Sequence, residues 1–192
     1  MPDKNKKKNP LVIGLVGTAG SGKDTAASYI KRKYGAEEFR FSYLLVETLK
    51  IFDIEISRDN LAWLMNILKR KYGKDVLTKA MKKTIQKMSR SKLVVINGIR
   101  LPSDYKLLRS FKRNVLVFLD APAKTRWQRV CQRQEKSDDN VSFKEFQKLI
   151  SAENERHIAK LGKKADFVII NDGGLDKFHL DITKVIEGLT NN

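Results

Sequence analysis

The residues with the clearest chemical purpose lie in a glycine-rich stretch directly after the apolar run Leu11–Val16. Their spacing fits the pattern G-x-x-x-x-G-K, in which a strand runs into a phosphate-binding loop and then into a helix. Backbone N–H groups of such a loop point at phosphate oxygens, and the amino end of the helix adds partial positive charge. A strand–turn–helix that is glycine-rich by chance is disfavoured, because three glycines and a lysine occupy the required positions. The stretch therefore predicts a nucleoside triphosphate site with these binding residues: Gly17, Thr18, Ala19, Gly20, Ser21, Gly22, Lys23, Asp24 and Thr25.

Three of these residues, and one from a later strand, are candidates for phosphoryl transfer and for Mg²⁺ binding. Lys23 is expected to neutralise charge on the transferred group, with Mg²⁺ bridging the β- and γ-phosphates of ATP. Asp24 stands where Ser or Thr usually follows the lysine; it could approach the metal, receive a proton from the acceptor, or only cap the helix. Thr25 is a natural donor to a phosphate oxygen and a second candidate metal ligand. Asn97 directly follows the run Leu93–Ile96, at a position where an acidic residue often lies beside the metal. It is the third candidate metal ligand.

Candidate acceptor-binding residues follow two of the predicted strands. Arg100 comes shortly after the run Leu93–Ile96, and ligands bind at the carboxyl ends of strands in open α/β sheets. A guanidinium group there suits a phosphate of the acceptor, although a surface ion pair is the alternative. Ser42 follows a short strand predicted near Glu38–Phe41 and is the second candidate.

Three arginines recur at positions i, i+3 and i+7 of a helix that opens at Pro122. We expect Arg126, Arg129 and Arg133 to form one stripe leading into a polar lid over residues 134–141, which would close over phosphates and exclude water. Arg126 and Arg133 are assigned to catalysis, with Arg133 as the lid arginine, and Arg129 to the nucleotide. A solvated helix face is the alternative.

A tight turn follows the last apolar run, Phe167–Ile170. A turn at that edge of the sheet could lie against the adenine, which makes Asn171 and Gly173 candidate nucleotide-binding residues. A plain turn explains the same residues equally well.

Five apolar runs with strand character alternate with helical patterns, which predicts βα units and a parallel sheet. The runs are Leu11–Val16, Glu38–Phe41, Leu93–Ile96, Val115–Leu119 and Phe167–Ile170. Between the second and third runs, residues 57–90 hold about two helices and no strand. We expect this helical insert to cover the acceptor.

The composition sets broad limits. The 192 residues suit one domain over residues 11–192, preceded by a basic flexible tail over residues 1–10, and no apolar run reaches the ~20 residues of a membrane span. A lone cysteine, Cys131, cannot form an internal disulfide and favours a reducing, cytoplasmic location. The formal net charge is +17, of which the tail contributes +3 and the body +14. This charge could attract nucleic acid, steer small polyanions, or form an ordinary solvated surface.

Taken together, these blocks resemble the nucleoside-monophosphate-kinase branch of P-loop proteins, and within it dephospho-CoA-kinase-like proteins. The blocks are Gly17–Thr25, Val94–Arg100, Asp120–Pro122 with Arg126–Arg133, Ser137–Asp139 and Ala165–Gly173. The sequence Gly-Lys-Asp-Thr at the end of the loop is also similar to phage-type deoxynucleoside monophosphate kinases. The resemblance implies an α/β P-loop fold with a five-stranded parallel sheet in the order 2-3-1-4-5, a helical acceptor insert and a small lid.

The same resemblance implies phosphoryl transfer from ATP, with Mg²⁺, to a hydroxyl or phosphate of a small nucleotide-like or coenzyme-like acceptor. In dephospho-CoA kinases an Asp usually follows the second strand and serves as the base toward the ribose hydroxyl. Here Phe39–Tyr43 contains no carboxylate, and the next one along the chain is Glu47. A nucleoside or deoxynucleoside monophosphate kinase and a nucleic-acid-associated ATP-binding protein remain the alternative functions.

Overall fold

A computed structural model describes residues 9–89, 91–133, 142–150 and 153–190. The predicted basic tail lies outside these residues except for its last two positions, and so does the predicted lid over residues 134–141.

Five strands form one sheet, and every pair of neighbouring strands is parallel. The strands are β1 (Leu11–Val16), β2 (Glu37–Phe39), β3 (Leu93–Ile99), β4 (Arg113–Asp120) and β5 (Phe167–Ile170). Their order is β2-β3-β1-β4-β5, which confirms the predicted topology. The second strand ends at Phe39, two residues earlier than predicted, because Phe41 already opens a helix.

Helices connect these strands along the chain. They are α1 (Lys23–Tyr34), α2 (Phe41–Ile51), α3 (Arg58–Tyr72), α4 (Val76–Met88), α5 (Pro102–Arg109), α6 (Ala123–Arg133), α7 (Phe143–Ile150), α8 (Glu153–Gly162) and α9 (Leu175–Thr190). The helical insert thus consists of α3 and α4, with no strand among its described residues.

The sheet is covered on both faces, because alternate residues of each strand point to opposite sides. On one face, Ile13 of β1 packs in a cluster with Ile30 of α1 and Ile182 of α9. On the other face, Val12 of β1 packs with residues of α4, α5 and α8, among them Leu108. The central strands are therefore buried on both sides, and their carboxyl ends are left to carry the polar residues.

Candidate active site

The glycine-rich loop spans the gap between the end of β1 at Val16 and the start of α1 at Lys23. Gly22 is the N-cap residue of α1 and has φ +99°, a left-handed conformation that favours glycine. A Cβ atom at this position would also collide with the Asn171 amide nitrogen. The loop therefore needs glycine here both for its backbone angle and for its contact with the turn after β5.

Two cationic side chains converge on Thr18 in this loop. Lys23 Nζ donates a hydrogen bond to the Thr18 carbonyl oxygen at 2.7 Å, so the ammonium group folds back over the loop. Arg126 NH1 donates to Thr18 Oγ1 at 2.6 Å, and Arg126 Nε donates to the Ala121 carbonyl oxygen at 2.9 Å. The loop is thus flanked by positive charge, as a polyphosphate site requires.

Arg126, the first arginine of the predicted stripe, is buried, which excludes the alternative of a solvated position for this residue. Arg126 is only 9% exposed, and its guanidinium lies 5.9 Å from the ring centroid of Phe146. It lies at the start of α6, next to the phosphate-binding loop, and so acts as an anchor of that loop. Arg133 ends α6, and its side chain lies outside the described part of the structure.

A carboxylate cluster lies beside the first turn of α1 and consists of Asp24, Glu38, Arg40 and Asn97. Asn97 Nδ2 donates to Asp24 Oδ1 at 2.9 Å and to Glu38 Oε1 at 2.8 Å. Arg40 joins the same two carboxylates, with NH2 2.9 Å from Asp24 Oδ1 and Nε 2.6 Å from Glu38 Oε1. One amide and one guanidinium thus hold two carboxylates close together at the edge of the phosphate-binding loop.

Strand pairing explains how residues so far apart in sequence meet. Glu38 lies on β2, which pairs with β3 in the register Glu38 to Val95 and Phe39 to Ile96. Asn97 follows on β3, one residue before Gly98, which has φ +94° where the pairing of β1 with β3 shifts register. Such bulges re-aim side chains next to functional sites. Here the carboxyl ends of β2 and β3 bring Glu38 and Asn97 to the amino end of α1.

Glu38 is the member of the carboxylate cluster that was not predicted from the sequence. A carboxylate was expected after the second strand, whereas Glu38 lies within that strand and its side chain is only 10% exposed. A charged residue within a short strand of a parallel sheet indicates a candidate site residue, since such strands are otherwise apolar.

Asn97, a predicted metal ligand, contacts the cluster through its amide nitrogen. Its amide nitrogen, not its oxygen, faces the two carboxylates, because carboxylates only accept hydrogen bonds. Asn97 thus joins Asp24 to Glu38, and its role as a metal ligand stays a prediction. The same two carboxylates also affect the pKa of the Arg40 guanidinium. Burial lowers the pKa of Arg40, but the hydrogen bond to Glu38 and the two nearby negative charges raise it above its ordinary value.

A cavity of about 220 Å³ opens on the other side of the loop, between α6 and the turn after β5. Its lining residues include five of the sequence-predicted nucleotide-binding residues, together with Leu175 and Phe178; the five are Gly22, Thr25, Arg129, Asn171 and Gly173. The apolar members and the glycines provide flat surfaces of the kind that a nucleobase contacts.

Asn171 connects this cavity to the phosphate-binding loop. Its Nδ2 donates to the Ser21 carbonyl oxygen at 3.1 Å, and its Oδ1 accepts a hydrogen bond from Arg129 NH2 at 3.2 Å. The second terminal nitrogen of Arg129 is buried and has no hydrogen-bond partner in the described structure. The predicted turn is therefore a structural tie to the loop, and it leaves one buried donor at the cavity wall.

The two predicted acceptor residues are exposed at the same edge of the sheet. Ser42 lies in the first turn of α2, after β2, and Arg100 directly follows β3. The backbone N–H groups of Arg100 and Leu101 donate to Asp104 Oδ2 at 3.0 and 2.9 Å. Burial raises the pKa of Asp104 above its ordinary value, although these backbone hydrogen bonds oppose the shift. Asp104 thus fixes the backbone from which the Arg100 side chain extends.

Among the described residues, no group of three or more His, Cys, Asp or Glu side chains is arranged to hold a metal ion. None of the helices described is both long enough and apolar enough to cross a membrane.

Sequence relatives of similar length cover almost the whole chain. A UPF0200 protein of Hyperthermus butylicus is 24% identical, over 94% of this chain and 95% of its own length. A UPF0200 protein of Pyrococcus horikoshii is 27% identical, over 95% of this chain and 99% of its own length.

Solved structures share the architecture at lower identity. A shikimate kinase of Acinetobacter baumannii, in complex with shikimate, has a TM-score of 0.57 and 17% identity over 96% of each chain. A shikimate kinase of Bacteroides thetaiotaomicron has a TM-score of 0.61 and 14% identity, over 95% of this chain and 99% of its own. These likenesses show a P-loop kinase-like fold. The family model described as an AAA domain matches residues 13–156, three quarters of the sequence, and the chain therefore belongs to the AAA domain family.

Proposed function

We propose that this protein transfers the γ-phosphoryl group of ATP to a small nucleotide-like or coenzyme-like acceptor, in the manner of dephospho-CoA kinases. The observation that carries this proposal is the meeting of the phosphate-binding loop with the carboxylate cluster at the start of α1. Lys23 bonds to the loop, and the adjacent Asp24 bonds to Arg40 and Asn97. Nucleotide binding alone requires no carboxylates, whereas phosphoryl transfer requires oxygen ligands for a metal and a group that receives a proton.

On the donor side, Lys23 and Arg126 stabilise negative charge on the transferring phosphoryl group. Their contacts with Thr18 support this role, because both cations lie where the phosphates enter the loop. Arg133, predicted from the sequence as the lid arginine, would add a third positive charge. The adenine occupies the cavity lined by Arg129 and by Asn171 and Gly173 of the turn after β5.

The cluster also fits Mg²⁺. The carboxylates of Asp24 and Glu38 and the hydroxyl of Thr25 are hard oxygen donors of the kind that Mg²⁺ prefers. The two carboxylates already share a cation, the guanidinium of Arg40, so their surroundings favour positive charge. Asp24 and Thr25 would hold the metal directly or through water, and Asn97 would orient Asp24. When bound, Mg²⁺ neutralises charge on the β- and γ-phosphates.

On the acceptor side, Glu38 takes the place of the missing base after the second strand. A hydroxyl oxygen of the acceptor forms a bond to the γ-phosphorus, the bond from that phosphorus to the β–γ bridging oxygen breaks, and the hydroxyl proton passes to Glu38. ADP leaves with the bridging oxygen. Arg100 and Ser42, at the exposed edge near β2 and β3, bind the remainder of the acceptor.

A nucleoside or deoxynucleoside monophosphate kinase is the second candidate, and Arg40 is the observation that favours it. An acceptor phosphate is already ionised, so it needs positive charge rather than a base. The Arg40 guanidinium is 27% exposed beside the phosphate-binding loop and is positioned to pair with such a phosphate.

An acceptor screen tests the proposal. ADP release from ATP-Mg²⁺ would be measured with dephospho-CoA, nucleosides, nucleoside monophosphates and shikimate, the last because it is the ligand of a structural neighbour. We expect one acceptor class to stimulate ADP release, and Lys23→Ala to abolish it. The matched control is Lys31→Ala, an exposed lysine further along α1. Failure of every acceptor to raise ADP above background, or full activity in Lys23→Ala, would refute the proposed function.

A further inference from the structure

The solvent-facing side of α4 carries an unbroken row of lysines. Lys79, Lys83 and Lys87 are exposed and follow one another at intervals of four residues, so they lie on one face of the helix. Met81 and Ile85 lie on the opposite face, are each only 1% exposed and belong to the core. The buried face fixes the orientation of α4, and the lysine row therefore points outward.

This row is part of a strong local excess of positive charge. Residues 57–89 contain nine lysines and arginines but only two aspartates and no glutamate, a net charge of +7 out of +17 for the chain. In the part of the chain that the structure describes, none of the three lysines of the row forms an ion pair. Like charges four residues apart destabilise a helix, by roughly 0.2–0.5 kcal/mol per pair. The lysine row therefore does not stabilise the fold, whereas it would stabilise a complex with an anionic partner.

Exposed aromatic rings accompany the charge on the neighbouring helix α3. Trp63 and Tyr72 are 51% and 58% exposed, and Lys71 Nζ lies 5.6 Å from the ring centroid of Tyr72. Arg70 is exposed and lies two helical turns after Trp63, on the same face. Aromatic rings interleaved with cations are the groups on which single-stranded nucleic acids stack their bases and place their phosphates.

We propose that the helical insert, α3 with α4, is a binding surface for single-stranded nucleic acid. The lysine row of α4 contacts phosphates, and Trp63 stacks on an unpaired base. Tyr72 lies nine residues further along α3, on the opposite face of that helix, and is not part of the surface. An anionic membrane fits less well, because an amphipathic helix must offer its apolar face to lipid and α4 buries that face in the core. A duplex fits less well because its bases are not free to stack on side chains. The lysine row is on the solvent-exposed side of the insert, so this inference does not rest on the proposed phosphoryl transfer or on the expected acceptor-covering role of the insert.

The test uses the full chain and fluorescence anisotropy with a labelled single-stranded oligonucleotide of about 20 nucleotides. Affinity would be measured across about 50–200 mM salt, where each phosphate contact with a single strand contributes about 0.7 to the slope of log K against log salt. The triple variant Lys79→Gln, Lys83→Gln, Lys87→Gln is expected to lower that slope by about 2. It should also weaken binding at least about tenfold at the lower salt concentrations.

A matched control removes the same charge elsewhere. Lys31, Lys112 and Lys160 are exposed on α1, before β4 and on α8, and their triple change to Gln should alter affinity only slightly. The change Trp63→Ala should weaken binding about fivefold or more while leaving the salt slope unchanged, because a stacked ring carries no charge. Thermal unfolding and binding of a fluorescent ATP analogue show that each variant is folded.

Several results would overturn the proposal. These are no binding by the wild-type chain at about 50 mM salt, an equal loss in the two triple variants, and tighter binding to a duplex of the same length. Binding to phosphatidylserine vesicles that depends on the α4 lysines, without binding to the oligonucleotide, would assign the surface to membranes instead.

Discussion

Replacing Asn97 by aspartate would turn the only neutral member of the carboxylate cluster into a third carboxylate. Asn97 is 5% exposed, and its amide nitrogen lies 2.9 Å from Asp24 Oδ1 and 2.8 Å from Glu38 Oε1. In Asn97→Asp a carboxylate oxygen replaces the amide nitrogen and faces Asp24 Oδ1 and Glu38 Oε1, and none of these oxygens carries a proton to donate. Two hydrogen bonds are lost, and like charges meet at contact distance.

The size of the effect follows from the exposure of the two partners. A hydrogen bond to a charged group contributes about 1.5–3 kcal/mol. The hydrogen bond to Glu38, whose side chain is 10% exposed, contributes a free energy within this range. The hydrogen bond to Asp24 contributes less, because the Asp24 side chain is 60% exposed and solvent screens its charge. A combined loss of about 4 kcal/mol lowers the melting temperature of a chain of this size by about 8–16 °C.

Two conditions should restore stability to Asn97→Asp. Like charge raises the pKa of the carboxyl introduced at position 97, so acidification to about pH 5 returns a proton and a hydrogen-bond donor to the cluster. Added Mg²⁺ binds the third carboxylate in the folded state only and stabilises by mass action. Differential scanning calorimetry at neutral and mildly acidic pH, with and without Mg²⁺, measures both effects.

A matched control separates the cluster from the added charge itself. Asn66 is exposed on α3, and Asn66→Asp adds the same charge there, with an expected change of no more than about 2 °C. If Asn97→Asp melts within about 2 °C of the wild type at neutral pH without Mg²⁺, the cluster is not held as described.

Four further changes probe the site and the fold. Glu38→Gln should lower kcat by about 10²–10⁴ with little change in the dissociation constant for ATP, as judged by steady-state kinetics and nucleotide titration; an unchanged kcat would exclude Glu38 as the base. Arg126→Lys keeps the charge but cannot reproduce both hydrogen bonds of the guanidinium, so ATP binding should weaken about tenfold by isothermal calorimetry, and equal affinity would contradict the anchoring role. Gly22→Ala should destabilise the protein by about 1–2 kcal/mol in urea and abolish ATP binding, because φ +99° is unfavourable for alanine; retained binding would refute that reason. Burial raises the pKa of Asp166, but the hydrogen bond and charge of Arg109 together with the backbone N–H of Leu116 outweigh it and hold the pKa below its ordinary value. The stabilisation from Asp166 is therefore present near neutral pH and is lost as the pH falls from the ordinary pKa of an aspartate through the lower folded-state value. Asp166→Asn should thus unfold at lower urea than the wild type near pH 7, and the gap should narrow as the solution is acidified below that ordinary pKa; a gap of constant size would contradict this.

The phosphate-binding loop could be predicted because its parts are contiguous. Gly17 to Thr25 supply the turn, the lysine and the helix start within nine residues, and β1 precedes them directly. The sheet order followed from the family resemblance and the apolar runs, since strands buried on both faces stand out as continuous apolar stretches. The roles of the site residues stay predictions, because no ligand contact tests them.

The carboxylate cluster, by contrast, depends on side-chain directions that a sequence does not display. Glu38 lies 59 positions from Asn97 and meets it only because β2 pairs with β3. The predicted strand began and ended one or two residues late, and a shift of one residue reverses every side chain of a strand. Helical periodicity likewise grouped Arg126 with Arg129, but the proximity of α6 to the loop decided that Arg126 is buried. A site built from contiguous residues can therefore be predicted from the sequence. Contacts between distant segments form only when the strands pair and the helices pack, so they are decided by the tertiary structure.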